Sequence, residues 1–142
     1  MNKIVISFCC ILVAAVILSG CTGIPDSGTV SDSGTVSLTP GPVQTLPSER
    51  TIDIQINEKD TSYATISVIF AGGKGQAAVT SIDVRVTRAD GQVITEKLIP
   101  EKGTELKIQG TKEDDRIEVF VSFNDGTTYK IIDRILPYKT RG

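Results

Sequence analysis

The 142-residue sequence has no histidine and no tryptophan, and aromatic residues make up only 5% of it. Histidine is the commonest metal ligand and the usual general base near neutral pH, so its absence excludes most familiar catalytic designs. We therefore expect a protein that is not an enzyme and that carries no cofactor.

Cysteine is confined to the first 21 residues, at Cys9, Cys10 and Cys21. The rest of the chain can therefore contain no disulfide, no cysteine zinc site and no thiol nucleophile. Charge of one sign is also scarce, because 15 basic and 17 acidic side chains give a net charge of −2. Nucleic-acid binding would require a basic face, so we expect no nucleic-acid partner.

The one long apolar run follows Lys3 and covers residues 4–18, where Ser7 is the only plainly polar side chain. A helix of that length is about 22 Å long, which is too short for a hydrocarbon core of about 30 Å. A charged start, a short apolar centre and small residues after it are typical of a secretory signal.

The residues that end this run, Leu18-Ser19-Gly20-Cys21, resemble the lipobox of prokaryotic lipoproteins. The resemblance implies cleavage between Gly20 and Cys21 and a diacylglycerol-type or palmitate lipid on the Cys21 thiol. It predicts a signal peptide over residues 1–20 and a chain anchored by Cys21 to the extracytoplasmic face of the cell membrane. The alternative is an ordinary signal, or an uncleaved anchor, whose cysteine is accidental.

Residues 22–49 are rich in Ser, Thr, Gly and Pro and contain the hexapeptide DSGTVS twice in tandem, at 26–31 and 32–37. Such a segment has too few apolar side chains to offset the entropy lost on ordering. We expect the lipidated cysteine and a disordered tether over 21–49, followed by one folded domain over 50–142.

Alternation of apolar and polar residues with period two begins near Thr51, and each alternating segment predicts a half-buried strand. Asp90-Gly91 and Asn124-Asp125-Gly126 are typical hairpin turns. We count seven short strands and no helix, which predicts an all-β, seven-stranded antiparallel sandwich of immunoglobulin-like or fibronectin-like type. The clearest alternation lies at Ile52–Ile56, Ala64–Phe70, Ile82–Val86 and Ile117–Phe123. The whole chain resembles small surface lipoproteins of prokaryotes, archaeal ones especially.

The glycine-rich segment Gly72-Gly73-Lys74-Gly75 does not match a phosphate-binding loop, because no Gly-Lys-Ser/Thr sequence and no helix follow. Its glycines let backbone approach another surface closely, so we interpret it as a possible recognition edge. A flexible connection between strands is the alternative.

Phe120 and Ile69 interrupt the polar register of their strands, as do Ile132 and Leu136 near the end of the chain. An exposed apolar set on one sheet face would mark a surface for a partner protein. The alternative is that these residues belong to central strands that are covered on both faces.

Asp114 and Asp115, with Asp60 or Asp125, form a weak candidate calcium site, because calcium requires six to eight converging oxygens. Consecutive acids in a turn are more often simply solvated. A small hydrolase that uses Asp114 or Asp115 with a distant carboxylate is a less favoured hypothesis.

These observations together predict a lipid-anchored binding or structural module of the cell envelope. Its partners would be the membrane, through the lipid on Cys21, and an unknown protein or glycan. The alternative is an accessory subunit of a membrane protein complex, docked through the apolar face.

Overall fold

The computed structural model describes residues 37–140, and they fall within one compact unit. They form seven antiparallel strands in two packed sheets, so the predicted all-β sandwich is confirmed. The strands are β1 (Asp53–Ile56), β2 (Thr65–Gly72), β3 (Val79–Thr87), β4 (Val93–Leu98), β5 (Glu105–Gln109), β6 (Asp115–Phe123) and β7 (Thr128–Leu136). Two 3-10 turns cover Ser48–Arg50 and Gln76–Ala78.

One sheet has three strands in the order β1-β2-β5, and the other has four in the order β4-β3-β6-β7. In constant-type immunoglobulin domains the fourth strand belongs to the same sheet as the first and second strands. Here β4 belongs to the other sheet, where it pairs with β3. Both predicted hairpins are present, between β3 and β4 and between β6 and β7. Gly91 (φ 85°) and Gly126 (φ 82°) occupy the left-handed positions that their turns require.

The core lies between the sheets and is built from the inward side chains of the alternating strands. Ile66, Val68 and Phe70 on β2 are completely buried, and β3 and β6 contribute equivalent rows. Each large aliphatic or aromatic side chain buried in this way stabilises the fold by about 1.5–3 kcal/mol. The other buried apolar residues are Ala64, Ile82, Val84, Val86, Leu98, Ile108, Ile117, Val119, Val121, Phe123 and Leu136.

A β-bulge in β7 changes which of its side chains point toward the core. Val119 pairs with Ile132 while the next residue, Phe120, pairs with Lys130, so Ile131 is the extra residue. An extra residue shifts the inward and outward alternation by one position. Ile132 therefore packs against the core and Leu136 is part of it, and the prediction that both interrupt a polar face is wrong.

Residues 37–49, which we expected to belong to a disordered tether, lie against the sandwich. The Gln44 N–H donates to the Lys130 carbonyl (2.8 Å), and the Lys130 N–H donates to Gln44 Oε1 (2.9 Å). Leu46 packs against the core. This differs from the predicted boundary at Arg50, because the open edge of β7 offers hydrogen-bond partners that a composition argument does not reveal.

The chain after β7 also folds back. The Tyr138 hydroxyl donates to the Thr61 carbonyl (2.5 Å), and Lys139 pairs with Glu58. Within residues 37–140, no helix is long and apolar enough to cross a membrane.

Candidate functional site

The glycine-rich loop that connects β2 to the turn before β3 packs against another segment of the same chain, residues 50–52. Gly72 (φ 112°) and Gly73 (φ 142°) have left-handed backbone, and a Cβ at Gly73 would clash with the backbone of Thr51 and Ile52. The Gly75 N–H donates to the Thr51 carbonyl at 3.1 Å. These glycines therefore admit the segment that leads into β1, and only Gly73 and Lys74 are exposed. Binding of a partner by this loop stays a prediction. The backbone of Gly73 and Gly75 is already in contact with residues 50–52, so these contacts do not favour it.

Phe120 and Ile69 lie on opposite outer faces of the sandwich. Phe120 is half-buried on the four-stranded sheet, opposite Asp83 on β3 and Lys130 on β7. Ile69 is half-buried on the three-stranded sheet, opposite Gln55 on β1 and Glu105 on β5. The two residues therefore do not form one apolar patch, and docking of a partner protein through either of them stays a prediction.

Asp115, a predicted calcium or acid–base candidate, is held in a buried ion pair. Its carboxylate lies 2.6 Å from Lys59 Nζ, and both side chains are completely inaccessible to solvent. It also accepts hydrogen bonds from the Ala89 N–H (3.0 Å), the Thr111 N–H (2.7 Å) and the Thr111 hydroxyl (2.5 Å).

The Asp115 carboxylate is therefore fully engaged. Burial raises the pKa of this carboxyl, but the hydrogen bonds from Lys59 and Thr111 outweigh burial and hold the pKa below its ordinary value. Asp114 is exposed next to it, and residues 37–140 contain no group of three or more metal-ligating side chains. Asp115 can serve neither as a calcium ligand nor as a carboxylate that meets a substrate.

A second charged group lies on the outer face of β6 and β7, and we call Arg116, Glu118, Lys130 and Asp133 the Asp133 cluster. The Asp133 carboxylate accepts hydrogen bonds from Arg116 Nε (2.8 Å) and Nη2 (2.7 Å) and from Lys130 Nζ (2.6 Å). The hydrogen bond from Arg116 lowers the pKa of the Asp133 carboxyl well below its usual range; burial opposes this effect and Lys130 adds to it. The Gly41 N–H donates to the same carboxylate (2.9 Å) and Arg116 donates to the Ser37 carbonyl (3.2 Å), so the cluster holds the segment before β1.

A further arrangement of functional groups surrounds Tyr63, in a depression on the outer face of the three-stranded sheet. Tyr63 is 75% exposed. The depression has a volume of about 400 Å³, and Glu58 and Asp60 complete its border. We call it the Tyr63 face and define it by Asn57, Tyr63, Thr65, Ser67, Glu105 and Lys107.

The loop that carries Tyr63 is fixed by its own hydrogen bonds. Asp60 Oδ1 accepts the N–H groups of Ser62 (2.9 Å) and Tyr63 (2.8 Å), and the Ala64 N–H donates to the Asp60 carbonyl (2.9 Å). Gln109 Nε2 donates to the Tyr63 carbonyl. Ala64 is the one residue other than glycine with positive φ (56°) among those described, and it is 1% exposed.

The floor of the Tyr63 face is a chain of polar side chains. Asn57 Nδ2 donates to Ser67 Oγ (3.4 Å), which donates to Glu105 Oε1 (2.6 Å), and Lys107 Nζ lies 3.6 Å from Glu105 Oε2. The hydrogen bond from Ser67 lowers the pKa of the Glu105 carboxyl, with Lys107 as a smaller cause in the same direction. The carboxylate is therefore ionised at neutral pH and is held in one orientation.

The Tyr63 face has no clear signature in the sequence. The available signal was a tyrosine in a polar loop, three residues after an aspartate that can cap the turn, in a chain with few aromatic residues. The convergence of this loop with Ser67 and Glu105 depends on pairing between β2 and β5, which the sequence does not display.

Gly20 and Cys21, the predicted cleavage and lipidation residues, lie outside the described residues. No family model, curated protein or solved structure matches the chain.

Proposed function

We propose that this chain is a lipid-anchored, non-enzymatic binding module of the cell envelope, held on the extracytoplasmic face of the membrane. The observation that carries the proposal is Leu18-Ser19-Gly20-Cys21 at the end of a short apolar run that follows Lys3. This order of features supports cleavage before Cys21 and lipid attachment to its thiol. A two-chain lipid would make the attachment stable, whereas one acyl chain binds a membrane only marginally.

Chain length limits how far the sandwich can stand from its anchor. Residues 22–36 separate Cys21 from Ser37, whose carbonyl accepts a hydrogen bond from Arg116 on β6. Fifteen residues span at most about 54 Å even when fully extended. A binding surface on the sandwich would therefore act close to the membrane, on envelope components rather than at a distance.

The side chains favour binding over catalysis. The chain has no histidine, and Asp115, one of the two carboxylates with a predicted acid–base role, is buried and paired with Lys59. The exposed functional groups that converge are those of the Tyr63 face, where an aromatic ring borders a fixed set of donors and acceptors. That composition is typical of a recognition surface, in which a few placed polar groups fix the orientation of a ligand.

The anchor is tested by expressing wild-type, Cys21→Ser and Cys10→Ser chains in a prokaryotic host that processes lipoproteins. We expect the wild-type chain to incorporate labelled lipid, to sediment with membranes and to partition into the detergent phase. The Cys21→Ser chain should incorporate no labelled lipid and should keep its first 20 residues, because the thiol that accepts the lipid is gone. Cys10→Ser, which alters a cysteine inside the apolar run, is the matched control and should behave as wild type. Identical processing and lipid labelling of all three chains would contradict the proposal.

A further inference from the structure

The exposed ring of Tyr63 lies next to a residue with a strained backbone conformation, Ala64. The left-handed conformation of Ala64 costs a residue with a side chain about 1–2 kcal/mol, and the structure retains it immediately after an aromatic ring that is 75% exposed. Strain of this kind persists where the surrounding structure enforces it, and it is concentrated at ligand-binding sites. Here the Asp60 turn and the burial of the Ala64 methyl group enforce it, and the result is a ring that is presented to solvent.

The Tyr63 face combines that ring with polar groups of both kinds. Asn57 and Lys107 supply N–H donors, and Glu105 supplies a carboxylate acceptor that the Ser67 hydroxyl holds in place. The hydroxyl groups of a sugar both donate and accept hydrogen bonds, and the carbon–hydrogen face of a pyranose ring packs on an aromatic ring. Tyrosine suits such a ligand because it has an apolar body with a polar tip.

The charges of the Tyr63 face do not favour anionic ligands. The depression is lined by Glu58, Asp60, Glu105 and Lys107, and the two glutamates pair with Lys139 and Lys107. These side chains therefore present no excess of positive charge that would attract phosphorylated, sulfated or uronic acid ligands. An uncharged ligand requires none.

A peptide ligand fits the Tyr63 face less well. Peptides that bind through their side chains need apolar pockets for anchor residues, and those that extend a sheet bind along the edge of a strand rather than on the outer face of the sheet. The polar floor of the depression is formed by side chains that point away from the core of the three-stranded sheet, and Tyr63 is its large apolar group. We therefore propose that the Tyr63 face binds an uncharged glycan, with the ring of Tyr63 as the stacking surface. This inference rests on the proposed role as an envelope binding module.

The test uses the detergent-extracted full-length chain on an array of neutral oligosaccharides of hexoses and N-acetylhexosamines, with a peptide array in parallel. We expect wild type to bind at least one neutral oligosaccharide. Affinity for that oligosaccharide should fall by about tenfold or more in Tyr63→Ala, because the stacking surface is lost. Tyr63→Phe keeps the ring and should bind within about threefold of wild type. Ile99→Ala, which truncates an exposed apolar residue that is not part of the Tyr63 face, is the matched control and should bind as wild type.

A second measurement uses the absence of tryptophan from the chain. The Tyr63→Trp variant carries a single tryptophan, whose emission should shift and saturate on titration with the bound oligosaccharide. Failure of wild type to bind any neutral oligosaccharide, equal binding by Tyr63→Ala, or Tyr63-dependent binding to peptides alone would each overturn the proposal. The Cys21→Ser chain should bind the oligosaccharide as wild type does, so failure of the glycan site and failure of the anchor are distinguishable.

Discussion

At the scale of single residues, Asp115 and Lys59 join three loops at one end of the sandwich. The carboxylate of Asp115 reaches Ala89 in the β3–β4 turn and Thr111 before β6. The ammonium of Lys59, at the start of the Tyr63 loop, also donates to the carbonyls of Glu113 (2.6 Å) and Thr111 (3.3 Å). Every charge in this pair is compensated, which is the condition for burying ions without a large desolvation penalty.

Removing one partner of this pair should be costly. We expect Lys59→Met to lower the free energy of unfolding by about 3–5 kcal/mol, because Asp115 would remain buried without its counter-ion. Urea denaturation of the variant and of wild type measures the loss. Lys139→Met removes a lysine from an exposed pair with Glu58 and should cost less than about 1 kcal/mol. Equal losses in the two variants would show that Lys59 is not buried as described.

The sequence identifies Asp115 as a notable carboxylate but not its role. Consecutive acids in a loop predict a calcium site when no neutralising partner is visible nearby. The partner that neutralises Asp115 is Lys59, which lies 56 positions away in the sequence. Only the packing of the β1–β2 loop against the start of β6 brings Lys59 to it. Tyr63 was missed for the same reason, because its polar neighbours on β5 are distant in sequence.

At the scale of elements, the turns use glycine for two different purposes. Gly126 needs only the left-handed backbone of the β6–β7 hairpin, and no atom would lie within 4 Å of an added Cβ. Gly73 has positive φ and in addition leaves no room for a side chain beside Thr51 and Ile52. The first glycine satisfies a dihedral requirement, and the second permits one segment to approach another.

These two purposes predict different costs for the same substitution. Gly126→Ala should lower the free energy of unfolding by about 1 kcal/mol, the cost of left-handed backbone alone. Gly73→Ala should lower it by about 3 kcal/mol, because steric overlap is added to backbone strain. Denaturant titration of the two variants side by side measures the difference. If Gly73→Ala were the milder of the two, the close approach of residues 50–52 to this loop would be refuted.

The elements that could be predicted from the sequence are those with one strictly buried face. β2, β3 and β6 each carry a buried apolar residue at every second position, so these inward residues follow directly from period two. β7 contains a bulge that moves Ile132 and Leu136 to the opposite face, and a strict alternation misassigns them. Residues 37–49 have the composition of a linker and become ordered through contacts with β7, which local sequence does not encode.

At the scale of the whole molecule, stability should depend on pH only under acidic conditions. The chain has no histidine, while Asp115 and Asp133 both have pKa values lowered by folding. A lowered pKa contributes stability that is present above the ordinary aspartate value of about 3.9 and is lost as the pH falls through the folded-state value. The unfolded state binds more protons in that range, so protonation favours unfolding.

We therefore expect the free energy of unfolding to be nearly constant between about pH 5 and 8 and to decrease below about pH 4. Asp133→Asn should be less stable at pH 7 and should show a shallower decrease in acid, because one of the responsible carboxylates is gone. Denaturant titrations at several pH values provide the measurement. An unchanged acid slope in Asp133→Asn would contradict the role given to the Asp133 cluster.

The lipid anchor that we propose at Cys21 would determine where the surfaces of this sandwich can act, and the mass of the mature N-terminal peptide tests it most directly. The chain should be extracted from membranes, digested and analysed by mass spectrometry. We expect the first peptide to begin at Cys21 and to carry a lipid on its thiol. An N-terminal peptide that still contains residues 1–20, or one that begins at Cys21 with a free thiol and amine, would contradict the lipid-anchored module.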